Sequence, residues 1–334
     1  MLIKRDKVVI LIATILFIFT QTLIFASIPN NTDNEPVNVI VKSGTSVYTI
    51  ANTLKAEGMI NSSYLFMLFS LAYRGKLIAG EYELRRDMSI MDVLKKMGHG
   101  ERTIYALKIV EGYNLFNIAD TMEKSNIMKS DEFFTLAKNK TILNSLGIAS
   151  DSIEGYLTPD TYYYSKEIDV DRFIEKIAQR TFKIFGKDEI KQRMKELNLD
   201  IHDTLTLASM IEREAKKKEE KPIISAVFHN RLKKGMSLDC DPTVIYGIGV
   251  FDSPLKKADL SRYTPYNTYQ FKGLPKGPIC NPDKNSIMAA LYPAPVDYLY
   301  FVSKNDGTHV FSKDMKEHNR FVAMYQRAKN TKNH

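Results

Sequence analysis

The chain has 334 residues, of which 44% are hydrophobic and 26% charged, with a net charge of +8. Its basic residues are scattered apart from a cluster at Lys216–Lys218, and no arginine-rich stripe interleaved with aromatics occurs, which argues against nucleic acid as a partner. Cys240 and Cys280 are too few for a disulfide framework and lack metal-site spacing.

The first predicted element is a membrane span. Lys4, Arg5 and Lys7 precede an uncharged, mostly apolar run from Val8 to Ile28. About 20 such residues cross a bilayer as a helix, and the basic flank leaves the rest of the chain outside the cytoplasm. A cleaved signal peptide would need a shorter apolar core and a small-x-small site. Here Ile24 or Phe25 would fill the upstream small position, so residues 1–28 read as an uncleaved anchor. Residues 29–36 are polar and read as a tether.

A repeat follows. Residues 41–70 align without gaps with 109–138: Gly44 with Gly112, Ile50–Ala51 with Ile118–Ala119, Thr53 with Thr121, Phe66 with Phe134 and Leu68 with Leu136. Each copy predicts a strand, a glycine turn and an amphipathic helix. Between them, an extended segment leads into a helix capped by Ser89 and ending near Gly98. Strand, turn, helix and second helix resemble a LysM-like module over 37–140, which implies a grip on N-acetylglucosamine chains; a plain spacer is the alternative.

From 141 to 334 the pattern is mixed. Asp203 is placed to cap a helix carrying Leu205, Ala208, Ile211 and Ala215. Pro222 and Gly235 frame a second helix, Ile223 to Lys234. Asn305-Asp306-Gly307 predicts a hairpin turn, and a last helix begins near Asp314.

No HExxH, CxxC pair, GxSxG, phosphate loop or GxGxxG occurs, and His202 and His229 are isolated, so neither metal nor cofactor is expected. Carboxylates, aromatics and polar side chains in glycine- and proline-rich loops suit sugar chemistry. The stretch LTLASMIEREAKKKEE offers Glu212 and Glu214. Both flank the apolar stripe of their helix, and periodicity does not choose between them. The bland alternative is a pair of solvated glutamates with i,i+4 lysines.

LASMIEREA, VFHNRL, LDCDPTVIYG, TPYNTY and GLPKGPICNP, in that order, with EGYLTPDTYYY upstream and HVFSKDMKEHN near the end, resemble the endolytic murein transglycosylase (YceG-like) family over essentially the whole chain past the anchor. Met210–Ile211 replaces the commoner Ile-Val, and Tyr156 stands where tryptophan is common. The resemblance implies an α+β chain: transmembrane helix, LysM-like module, then a mixed α/β catalytic domain over 141–334 with a groove. It implies that Glu212 is the catalytic acid and then base, and that the substrate's own C6 hydroxyl is the nucleophile, leaving 1,6-anhydro ends. It assigns groove contacts to Glu154, Tyr156, Asn230, Arg231, Asp241, Thr243, Tyr246, Tyr266, Asn267, Thr268 and Tyr269. Asn230 and Arg231 are expected to reach back toward Glu212, or Arg231 to pair with Asp241 or Glu154. The implied partners are peptidoglycan glycan strands, the cytoplasmic membrane and peptidoglycan synthases. The competing readings are a noncatalytic wall-binding scaffold and a water-using muramidase with Asp241 or Glu154 as second carboxylate. The cysteines read as unpaired buried thiols, with a bridge between their two loops as the alternative.

Overall fold

The computed structural model describes residues 2–29, 31–73, 76–166 and 168–327. The chain divides into two compact units, residues 1–106 with 163–168, and residues 107–162 with 169–334.

In the first unit, α1 (Leu2–Ser27) contains a 22-residue segment, Asp6–Ser27, long and apolar enough to cross a membrane. Its apolar side chains are exposed along most of its length, whereas Ala26 in its last turn is buried in the core of the unit. β1 (Pro36–Val41) leads through the Gly44 turn into α2 (Val47–Ala56) and α3 (Ser63–Ser70), and β2 (Gly80–Arg85) returns antiparallel to β1 with Val39 opposite Tyr82. Alternation puts Val39 and Val41 on the inner face. They pack with Tyr82 and Leu84, with Ile50, Ala51 and Leu54 of α2, and with Val93, Leu94 and Met97 of α4 (Ile90–His99). Ser89 caps α4 as expected, but the helix runs through Gly98 and stops at Gly100, whose φ of 71° suits the left-handed end.

The repeat is visible in the backbone. β3 (Tyr105–Ile109), α5 (Leu115–Lys124), α6 (Ser130–Ala137), α7 (Lys140–Ser145) and β4 (Asp160–Tyr164) follow in order, and β3 and β4 form a second two-stranded ribbon. Gly44 and Gly112 share φ near 80°, at 81° and 79°. Ile118, Ala119 and Met122 are buried where Ile50, Ala51 and Leu54 are. The gap-free alignment fails at the second helix. The connector before α6 is one residue shorter, so the partner of fully buried Phe66 is fully buried Phe133, not Phe134. Most of the second copy, residues 107–162, falls in the second unit.

That unit continues with α8 (Val170–Phe185), α9 (Asp188–Leu197), α10 (Ile201–Glu214), α11 (Lys221–Lys233), α12 (Asp241–Ile248), α13 (Lys257–Leu260) and α14 (Lys284–Leu291). α10 is buried continuously from Thr204 to Ile211, packed on α11 and α14, which is why its apolar stripe covers more than one face. Its cap is Asp200 rather than Asp203; Asp203 is the third helical residue and closes a reciprocal capping box. The predicted hairpin is β5 (Tyr300–Ser303) and β6 (His309–Ser312), and Asp314 caps α15 (Met315–Val322). The described fold is thus α+β, rich in helix, with three two-stranded ribbons.

Candidate active site

Glu212 lies in the last turn of α10, with only 9% of its side chain exposed. Neither it nor Glu214 is a solvated glutamate with a lysine four residues on. Lys221, the first residue of α11, donates to both Glu212 oxygens at 3.2 and 3.1 Å and to Asp283 Oδ1 at 2.9 Å. The Asp283 amide and the Ser286 hydroxyl both donate to Glu212 Oε2, at 2.9 and 2.7 Å. Oε1 has Lys221 alone among these donors and is the freer oxygen. Asp283 caps α14, accepting from the Ser286 amide, and takes a further bond from Asn285.

One cation therefore serves two carboxylates, and their environments push them apart. Burial raises the Glu212 carboxyl above its ordinary value and the Asp283 charge adds to this, against the hydrogen bonds of the Asp283 amide and Ser286 and the charge of Lys221. Burial also works against the Asp283 charge, but bonds from Lys221, the Ser286 amide and Asn285 hold it at about 2. Asp283 keeps the negative charge, and Glu212 is the group able to carry a proton.

The second-copy turn borders this carboxyl. A Cβ added at Gly112 would lie 3.8 Å from Glu212 Cγ, and Arg213 Nη1 donates to Gly112 O at 3.5 Å. Asn281 fixes the turn: its side chain and amide donate to Tyr113 O, its carbonyl accepts from the Gly112 amide, and its Oδ1 accepts from the Leu157 amide. Asn281 also donates to Glu154 Oε1 at 3.1 Å, while Leu115 N and Tyr246 Oη donate to Glu154 Oε2 at 2.9 and 3.0 Å. Burial outweighs these bonds and pushes Glu154 up to about 7. Beside it, Gly155 at φ 87° lies so close to Pro278 that a Cβ would fall 2.4 Å from the ring, the steric reason the EGY and GPICNP segments each carry small or rigid residues there.

A sequence profile described as the YceG-like family matches residues 39–324. The chain belongs to the YceG-like family. It is 35% identical over 316 residues to the endolytic murein transglycosylase of Bacillus subtilis (strain 168), covering 89% of this chain and 86% of that protein. It is 29% identical to the endolytic murein transglycosylase of Streptococcus pneumoniae D39, over 88% of this chain but 59% of that longer protein. The crystal structure of a yceG-like protein from Listeria monocytogenes is similar at a TM-score of 0.60 and 32% identity, over 86% of this chain and 99% of that one.

The YceG-like motif residues divide by what their side chains touch. Tyr246 and Tyr266 meet edge to face at 4.8 Å, and the Tyr269 hydroxyl donates to Asp241 at 2.6 Å; the three tyrosines are half-buried and Asp241 is exposed. Thr243, Asn267 and Thr268 are fully buried. Thr268 Oγ1 accepts from the Cys240 amide and bonds Thr243, and Asn267 donates to the carbonyls of Leu260 and Arg262. Tyr156 is buried between Phe182 and His202. Asn230 and Arg231 do not reach Glu212. Asn230 donates to the carbonyls of Val296 and Tyr298, and Arg231 to Leu299, Ser237 and Leu238. Arg231 pairs with Asp239 at 2.8 Å, not with Asp241 or Glu154. Both thiols are free and buried, Cys240 on Glu214 at 3.3 Å and Cys280 on Ser209 O at 3.4 Å. Burial, then the Asp241 charge, lifts Glu214 to about 7 against the bond from Cys240.

Lys221, Asn281, Asp283 and Ser286 went unselected in the sequence. Two signals were present. Asp283 followed by Ser286 opens a helix, and Lys221 puts a cation at a helix N-terminus, where the dipole opposes it.

Proposed function

We propose that this chain is a peptidoglycan lytic endotransglycosylase, cleaving the β-1,4 bond from N-acetylmuramic acid to N-acetylglucosamine within nascent strands. Glu212 is the acid and then the base. Its proton passes to the glycosidic oxygen as the C1–O bond breaks. The C6 hydroxyl of the same muramic acid closes on C1 and returns its proton to Glu212, so no water is consumed and a 1,6-anhydro end remains. The observation that carries the reading is the shared lysine: Glu212 is raised and able to hold a proton while Asp283, on the same ammonium, stays ionised. Tyr246, Tyr266, Tyr269 and Asp241 line the approach for the sugars, and Glu154, Asn281 and Gly112 position the wall. The names of the relatives support the substrate class.

α1 anchors the protein in the cytoplasmic membrane, with the second unit on the outer side beside the synthases whose strands it shortens. The βααβ order of residues 36–85 supports a LysM-like, glycan-gripping role there. The anchor requires the protein isolated from membranes to begin at or next to Met1; N-terminal sequencing that starts at Ser27 or Ile28 would show a cleaved leader instead.

The deciding assay is mass spectrometry of purified strands after incubation. Anhydro ends are expected. Reducing ends would indicate a muramidase using water, for which exposed Asp241 is the available carboxylate, since Glu154 spends both oxygens on protein donors. No cleavage would indicate a scaffold. Glu212→Gln should lower turnover by about 10²–10⁴-fold, and near-normal turnover by a folded Glu212→Gln protein would rule Glu212 out.

A further inference from the structure

We propose that the basic surface beside the Lys221–Asp283 pair is a subsite for the carboxylate-bearing peptide stem of muramic acid. The identity of this ligand rests on the transglycosylase reading. Two clefts meet along α14. The first, of about 390 Å³, is walled by Lys218, Lys221 and Asn285, and it continues past Met288 and Tyr292. The second, of about 310 Å³, shares Met288 and Tyr292 and is rimmed by Lys183, Lys187 and Lys284.

Charge and floor together select the ligand. Lys183, Lys187, Lys218 and Lys284 are exposed, and none forms an ion pair among the described residues; the pairs on this surface are made by Lys221, Lys191 and Arg193. Glu189 is the one acid lining either cleft. The floor is apolar, from Ala289 and Met288 to Ile184, and the Arg193 guanidinium lies 5.4 Å over the Tyr292 ring. A neutral glycan offers hydroxyls and no charge, so it would leave these cations unmatched. A short acidic peptide with alanine methyl groups meets both the rim and the floor.

Position agrees. The stem branches from the muramic acid ring whose C1–O bond is cut, so its subsite must adjoin the catalytic carboxyl. Lys221 lines the first cleft and bonds Glu212 directly, and Asn285 lines it and bonds Asp283. Stem and scissile bond would then be held on two sides of one ion pair.

The test uses the full-length protein in detergent. A synthetic stem peptide with free carboxylates is titrated into wild type, into a Lys183→Glu, Lys187→Glu, Lys284→Glu triple variant, and into the corresponding triple arginine variant. The glutamate variant should bind about tenfold more weakly, as expected for losing several exposed charge contacts. The arginine variant should bind as wild type does, and added salt should weaken both. On glycan strands, the glutamate variant should show a raised KM for stem-bearing strands, with kcat unchanged and with strands stripped of stems cleaved as by wild type. Equal peptide binding by wild type and the glutamate variant overturns the subsite. So does binding of a stem-free phosphate polymer in place of the peptide, which would assign the cations to another anion. Wild type that binds the peptide but cleaves no strand would sink the transglycosylase reading and leave the subsite standing.

Discussion

Replacing Lys221 with methionine isolates the feature on which the mechanism depends. The side chain is 5% exposed and holds two carboxylates through contacts of 3.2, 3.1 and 2.9 Å. Methionine fills similar volume without the charge, leaving Glu212 and Asp283 facing each other uncompensated. Removing one partner of a buried ion pair costs about 3–5 kcal/mol. Part of this is the linkage of Asp283, whose drop from 3.8 to about 2 contributes on the order of 2 kcal/mol at neutral pH. That carboxyl is depressed in the folded state, so its contribution is complete above its unfolded value and disappears as pH falls through about 2. The stability gap between wild type and Lys221→Met should therefore be widest near neutrality and narrow in acid. At about 2–4 °C per kcal/mol for a unit of this size, the melting temperature at pH 7 should fall by about 10 °C. Glu212 should hold its proton to higher pH without the lysine, so the alkaline limb of kcat/KM should move upward. Thermal melts and pH–rate profiles of both proteins measure this. A variant as stable as wild type at pH 7, with an unmoved alkaline limb, would refute the shared-cation argument.

Glu154 gives the opposite pH sign. Its folded value is raised from 4.5 to about 7, so its stability contribution is full in acid and is lost as pH rises toward 7, by up to about 3 kcal/mol. Glu154→Gln should flatten wild-type stability between these pH values, at a cost of about 1 kcal/mol in acid for the mismatched bond to Asn281; an unchanged pH slope in melts would count against it. The two repeat glycines make a matched pair. Gly44→Ala and Gly112→Ala both force a non-glycine residue to positive φ, at about 1–2 kcal/mol each. Only Gly112→Ala brings a methyl against Glu212, so only it should lower kcat; equal turnover of the two variants would deny the turn a role in the site.

How much was legible depends on the range of the contact. Local signals carried well: the apolar run of α1, Ser89 before α4, Pro222 in the first turn of α11, the Asn305–Gly307 turn and Asp314 before α15 all lie where backbone chemistry within a few residues demands them. Even a local reading slipped at the start of α10, where Asp203 reads as the cap but Asp200 is the cap, because in a capping box both positions carry polar side chains for reciprocal reasons. The site was read through its motif but not through its partners. Periodicity placed Glu212 and Glu214 alike beside an apolar stripe. The difference between them is made by Lys221 nine residues on and by Asp283 and Ser286 on α14, contacts that no pattern along α10 encodes. The partners of the polar loop residues were hidden for the same reason. Asn230, Arg231, Asn267 and Thr268 look like ligand contacts in a glycine- and proline-rich sequence, yet irregular buried backbone has its own donors and acceptors to satisfy, and these side chains satisfy them.

The repeat shows how one local solution takes on a second task. Gly44 and Gly112 have nearly the same φ, and in both copies the turn leads into a helix that buries apolar residues at the same three positions, Ile50, Ala51 and Leu54 in one and Ile118, Ala119 and Met122 in the other. A Cβ at Gly44 would meet nothing within 4 Å, so glycine is needed there only for the backbone. At Gly112 the same turn is stapled by Asn281, bounded by Glu212 and Arg213, and followed by an amide that Glu154 holds. Backbone conformation accounts for the glycine in both copies, but only the packing of the second unit makes it part of the wall beside the candidate acid. That is why the alignment of the two copies located the turn and could not distinguish the one that borders Glu212.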